Sequence, residues 1–110
     1  MELVAGTYRL TARLPHRELY GLTSQMRRSA VSIPANIAEG NGRRSTREYL
    51  RFLTIANGSL RELETYWDLT VELEYFTTEQ VAESRSMGEE IGKMLTGLSR
   101  SLRERSIPDL

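Results

Sequence analysis

The chain has 110 residues, 39% hydrophobic and 27% charged, with 15 basic side chains balanced by 15 acidic ones and no cysteine. That length suits a single domain over residues 1–110. The composition excludes a disulfide framework, a thiolate metal site and a cysteine nucleophile, and one imidazole, His16, leaves little for zinc or for Ser-His-Asp hydrolysis. No apolar run approaches the roughly 20 residues that span a bilayer. The start, Met1-Glu2-Leu3-Val4-Ala5-Gly6, has neither the basic region nor the apolar stretch of a secretory signal. The expectation is a cytoplasmic protein with no membrane segment and no cofactor.

Turn signals divide the chain into four segments, each with apolar residues spaced three and four apart, as in amphipathic helices. The first, about Glu2 to Arg13, carries Leu3, Thr7, Leu10 and Leu14 on one stripe and meets Pro15, which disfavours helix at the residue before it. The second runs from His16 or Arg17 to Glu39 with Leu19, Leu22, Met26, Ala30, Ile33 and Ile37 as its seam. Pro34 inside it predicts a kink or short break. Gly40-Asn41-Gly42 is expected to end it through a left-handed glycine.

Ser45-Thr46-Arg47-Glu48 has capping-box spacing and predicts the start of a third helix, which continues through Tyr49, Phe52, Leu53, Ala56, Leu60, Leu63, Trp67 and Leu73 to about Glu74. The fourth opens near Thr77 or Thr78, with Gln80 completing a second box. It turns Met87, Ile91, Met94, Leu95, Leu98 and Leu102 inward and ends before Pro108. Short links between helices favour antiparallel neighbours, so the fold class is all-α: an antiparallel up-down-up-down four-helix bundle with a short first helix. That helix cannot cover its neighbours fully. The apolar groove left beside it calls for another chain, most simply a second copy.

Charge is balanced in sum but not in place. Residues 1–58 hold nine Arg against four Glu, and residues 59–110 hold six basic against eleven acidic side chains. Such segregation either pairs a basic helix with an acidic one or gives the molecule two faces of opposite sign. Arg27, Arg28, Arg43, Arg44, Arg47 and Arg51 form the basic set, the last four around the start of helix three, where they could grip phosphates. Gly40-Asn41-Gly42-Arg43-Arg44-Ser45 has no preceding strand and no Gly-Lys-Ser/Thr ending, so it reads as a turn and not a nucleotide cradle.

Asn36, Glu39 and Asn57 fall near the helix seams among small residues, where polar side chains are expected to make interhelical hydrogen bonds that set register. Nothing places a second acid beside Glu39 for acid–base work. Ser84, Gly88, Gly92 and Thr96 form a small-residue ridge at spacing four on helix four. Tyr66 or Trp67 is expected to fill the groove above it.

Two stretches carry a family resemblance. Residues 20–40 read Tyr20-Gly21-Leu22 through Ser32-Ile33-Pro34-Ala35-Asn36-Ile37-Ala38-Glu39-Gly40, and residues 49–65 contain Ile55-Ala56-Asn57-Gly58-Ser59-Leu60-Arg61-Glu62-Leu63-Glu64. Together they resemble the 23S rRNA intervening-sequence proteins, also labelled S23 ribosomal proteins. The resemblance implies a bacterial antiparallel four-helix bundle that assembles as a homopentamer and has no catalytic residues. Family members usually carry a tryptophan-containing stretch on the first helix, which is missing here. The expectation is therefore a non-enzymatic homo-oligomeric scaffold contacting RNA through its basic patch; the alternative is a protein-interaction module that takes a partner helix in the groove beside helix one.

Overall fold

The computed structural model describes residues 1–106. The helices are α1 (Glu2–Thr11), α2 (Ser24–Asn41), α3 (Thr46–Glu72) and α4 (Thr78–Ser106), with a 3-10 turn (His16–Glu18) and a π-helical turn (Leu19–Thr23) between α1 and α2. Each helix runs antiparallel to the next and α4 packs back on α1, as expected of the bundle. The molecule measures 52 × 24 × 19 Å. At 1.5 Å per residue α1 is about 15 Å long and α3 about 40 Å, so α1 covers one end of the bundle only.

The last two helices begin where local chemistry directs. The Ser45 hydroxyl accepts the Glu48 amide at 3.1 Å, and Thr77 and Gln80 exchange reciprocal hydrogen bonds at 3.2 and 2.8 Å. Three other expectations need correction. The second segment is not one helix from residue 16: Gly21, at φ −108° and ψ −111°, leaves helical geometry, Glu18 accepts the Leu22 amide, and regular α-helix starts only at Ser24. α2 then runs unbroken through Pro34. A proline costs a helix interior about 3 kcal/mol, but α2 is held along its length by α3, through Ser29, Ser32 and Gly40.

The third correction concerns the end of α2. Gly42 caps it in right-handed geometry, with φ −81°; the non-glycine residue in the left-handed region is Glu74, at φ 63°, just past α3. What Gly40 supplies is room. A Cβ there would stand 2.8 Å from Phe52 Cβ and 2.9 Å from Tyr49 Cδ1, so α2 and α3 meet at their turn more closely than any side chain permits. The stop expected before Pro108 lies outside the described residues.

The core gathers Leu3, Met26, Ile33, Leu53, Leu60, Leu63, Trp67, Val81 and Leu95, all nearly inaccessible. Buried hydroxyls on α1 and α3 bond to their own helix backbone: Thr7 to Leu3 O at 2.8 Å, Thr11 to Thr7 O at 2.7 Å, Thr70 to Trp67 O at 2.8 Å. Leu73 and Met94, expected inside, are 55% and 53% exposed. Leu73 sits one residue beyond α3, and Met94 lies beside the buried stripe that Leu95 occupies. The ridge on α4 is also filled differently: Leu60, not Tyr66 or Trp67, lies against Gly88 and Gly92, and Gly6 of α1 approaches Ser84.

These contacts give opposite outcomes for two glycine substitutions. Gly40→Ala should lower unfolding stability by about 1–3 kcal/mol through overpacking. Gly58→Ala, whose Cβ meets nothing within 4 Å, should raise it by about 0.5–1 kcal/mol through helix propensity. Urea denaturation of both variants checks the pair; equal effects would show that the close approach at Gly40 is not what limits this turn.

Candidate nucleic-acid interface

Because α2 and α3 are antiparallel about the turn at residues 42–45, the six arginines separate. Arg27 and Arg28 lie near the start of α2, about 22 Å along the helix from Arg43. Arg27 stacks its guanidinium 4.5 Å from the Tyr8 ring centroid and donates to Thr11 Oγ1 at 2.9 Å. It ties α1 to α2. Arg28 is exposed on the outer side of α2.

Arg43, Arg44, Arg47 and Arg51 are brought together at the α2–α3 turn. Arg43 and Arg51 stand over the Phe52 ring at 5.0 and 5.3 Å, within cation–π range, and Arg43 also pairs with Glu39. Among the described residues Arg44 and Arg47 are exposed and make no ion pair. Four cations therefore crowd one turn, with the partial positive charge of the α3 N-terminus added to theirs.

The antiparallel register of α3 and α4 adds charges that lie far away in sequence. Leu60 faces Gly88 and Gly92, and Arg85 pairs with Asp68 at 2.6 Å, so the C-terminal half of α4 runs beside the start of α3. Arg100, Arg103 and Arg105 thus join the arginine turn at one pole, while Lys93 lies level with the middle of α3, next to Gly92, which faces Arg61. Residues 29–61 and 91–106 carry nine cationic side chains against three acidic ones, whereas residues 62–90 carry nine acidic side chains and only Arg85. Residues 1–28, whose α1 packs against Ser84 and Met87 at the acidic end, add five arginines and two glutamates there. That end is mixed but net acidic, and the charge runs from basic to acidic along the long axis. Sequence reasoning named half of the basic pole; the signal for the rest was the change of sign within α4, between Glu90 and Lys93.

The polar seam residues divide differently from expectation. Asn36 donates within α2, to Ser32 O and Oγ at 2.8 and 2.9 Å, and Glu39 is exposed beside Arg43. Asn57 is half-buried on α3. The bonds that cross from α2 to α3 are made by Ser59 to Ser32 at 2.8 Å and Ser29 to Glu62 at 2.8 Å. Among the described residues no three His, Cys, Asp or Glu side chains gather to hold a metal.

An open groove of about 780 Å³ runs beside α1 over α2 and α3, lined among others by Tyr8, Tyr20, Arg28, Val31, Ser59 and Glu62. Tyr20 is 91% exposed there. Two outward seams border it with heptad spacing: Ser24, Arg28, Val31, Ala35 and Ala38 on α2, and Ile55, Ser59, Glu62, Tyr66 and Leu69 on α3, continued by Leu73 at its C-cap. That spacing suits packing against further helices.

Tyr66 donates to Glu62 at 3.3 Å, and its phenol is raised above the ordinary 10.0, first by burial, then by the charge and hydrogen bond of Glu62, against an opposing pull from Arg28. A raised tyrosine favours its neutral form in the fold. Its contribution is complete below the ordinary tyrosine pKa and is lost as pH rises through the folded value. Spectrophotometric titration should find Tyr66 ionising above the usual range, with Glu62→Gln moving it part of the way back, since burial persists; an unmoved titration would remove Glu62 from the cause.

Comparison with known proteins gives the same fold and a family. A crystal structure of a protein of unknown function from the S23 ribosomal protein family of Bacteroides thetaiotaomicron VPI-5482 is 28% identical and superposes with a TM-score of 0.82, covering 89% of this chain and 92% of that one. No curated protein matches the chain. The family description for the 23S rRNA-intervening sequence protein matches residues 1–97, nearly the whole described structure, and the chain belongs to that family.

Proposed function

We propose that the protein is a non-enzymatic, homo-oligomeric scaffold that binds RNA through its basic pole. The observation that carries the reading is the convergence of two distant basic segments, one at the α2–α3 turn and one on the last half of α4, at the same end of a chain with no net charge. Phosphate binding is an electrostatic, sequence-independent affinity of this kind of surface, and the family's name ties it to 23S rRNA. Self-association rests on the outward seams of α2 and α3, where Val31, Ile55, Leu69 and Leu73 are exposed beside Tyr20. The five-fold ring implied by resemblance would use those seams side by side. Copies set parallel would bring their basic poles onto one face and multiply the field there.

A second reading, a module that binds a helix of a different protein, is favoured by the same groove: exposed tyrosine and arginine are the residue types that anchor protein interfaces. Sedimentation of the purified chain separates the two. A stable multimer supports the first; a monomer at every concentration supports the second.

The RNA reading has its own measurement. Affinity for a structured RNA should fall linearly with salt on logarithmic axes. Replacing Arg44 and Arg47 together with alanine should weaken binding and reduce the slope by about 1–2, near 0.7–0.9 for each phosphate no longer neutralised. Binding indifferent to salt, or unchanged in the double variant, would sink it.

A further inference from the structure

Two of the four arginines at the α2–α3 turn are already engaged within the chain. Arg43 pairs with the carboxylate of Glu39, four residues back at the end of α2. Its guanidinium also stands 5.0 Å from the centroid of the Phe52 ring, and that of Arg51 stands 5.3 Å from the same ring. We infer that Phe52 positions Arg43 and Arg51 as a paired phosphate contact, and that Glu39 restrains it, so that RNA must displace a carboxylate to reach Arg43. The inference rests on the RNA reading above and adds which residues set the strength of binding.

Three observations carry it. The first is that the ring is fixed. Phe52 Cβ lies where a Cβ on Gly40 would come within 2.8 Å, so the closest approach of α2 and α3 decides where the ring stands. An aromatic face attracts guanidinium groups within about 6 Å. Two like charges drawn to one ring repel each other, and a phosphate relieves that repulsion as it accepts from both.

The second is which cations are committed. Among the described residues Arg44, Arg47 and Arg51 make no ion pair, and Arg43 does. Phosphate binding draws its strength from counterions released. An arginine neutralised by a carboxylate adds little to that release, because the carboxylate set free takes up a cation in turn.

The third is that the restraint is light. The side chains of Arg43 and Glu39 are 40% and 54% exposed, and a pair standing in water holds by no more than about fivefold in equilibrium. A phosphate can therefore break it.

The test measures a fluorescein-labelled RNA hairpin against the full chain by anisotropy over a series of salt concentrations. Glu39→Gln should bind about two- to fivefold tighter, with a salt slope steeper by about 0.7–0.9, the share of one more phosphate neutralised. Glu48→Gln removes an acid from the same pole that pairs with no arginine among the described residues, and its slope should stay that of wild type. Phe52→Leu keeps every charge and should weaken binding about two- to fivefold. It should cost nothing further once Arg43 and Arg51 are both replaced by glutamine, whereas a merely structural role would persist there.

Equal slopes for Glu39→Gln and Glu48→Gln overturn the restraint by Glu39. A Phe52→Leu loss that survives removal of the two arginines overturns the positioning. In either case salt-dependent binding by wild type leaves the RNA reading of the pole standing. A hairpin bound by neither wild type nor Glu39→Gln overturns both readings together.

Discussion

The register between α2 and α3 is the constraint on which the rest depends. Gly40 lets the two helices meet at Tyr49 and Phe52, and the Ser32–Ser59 and Ser29–Glu62 hydrogen bonds repeat the same alignment two and three turns farther along. A shift of one residue would put a Cβ where glycine is needed and leave Ser29, nearly buried, without its partner. With that register in place the short turn must carry Arg43 and Arg44 at the tip of the molecule. Arg47 and Arg51 follow on the first turns of α3, because helical spacings of three and four share a face.

The α3–α4 seam then decides what the tip means. Had α4 been turned end for end, its cations would lie beside Glu62, Glu64 and Asp68, and opposite charges would cancel locally. Antiparallel packing instead puts basic beside basic and acidic beside acidic. Like charges at one end repel and oppose compaction, and the bundle tolerates this because the charges stand in water, where screening limits the cost. The buried interior is apolar and self-satisfied: among the described residues no buried side-chain nitrogen or oxygen lacks a hydrogen-bond partner. Stability is therefore held inside, and the polarity outside is free to serve recognition.

Much of this was legible in the sequence. Helix number, the Ser45 cap, the Thr77–Gln80 box and the buried stripe from Leu53 to Trp67 depend on neighbours three and four residues away, and short-range spacing reports them directly. What failed was set by tertiary context. Pro34 reads locally as a breaker, yet α2 is continuous there because α3 holds it; Gly21, which reads as an ordinary glycine within a helix, is where helical geometry is lost. Gly40 and Gly42 read as a helix stop, and only the neighbouring helix reveals that Gly40 is needed for closeness. The basic patch was half visible for the same reason. Arg100 and Arg103 lie more than fifty residues from Arg44, and nothing short of the helix register places them at the same end.

The self-satisfied interior and the charged exterior follow from one arrangement. The buried hydroxyls of Thr7, Thr11 and Thr70 bond to their own helix backbone and Ser29 to Glu62 across the seam, so the interior draws on none of the surface charge. What α1 leaves uncovered is an extended surface: Tyr20 on the turn before α2, Val31 and two alanines in heptad order on α2, and Ile55 and Leu69 on α3. Surfaces of that kind are suited to other helices, and ends of uniform charge are suited to polyanions. Since the two lie on different parts of the molecule, the flank and the tip, copies can associate through one without covering the other. Under the proposed assembly, each added subunit would raise the affinity of a shared basic face with no new contact, because a second phosphate group would bind at the effective concentration set by the first.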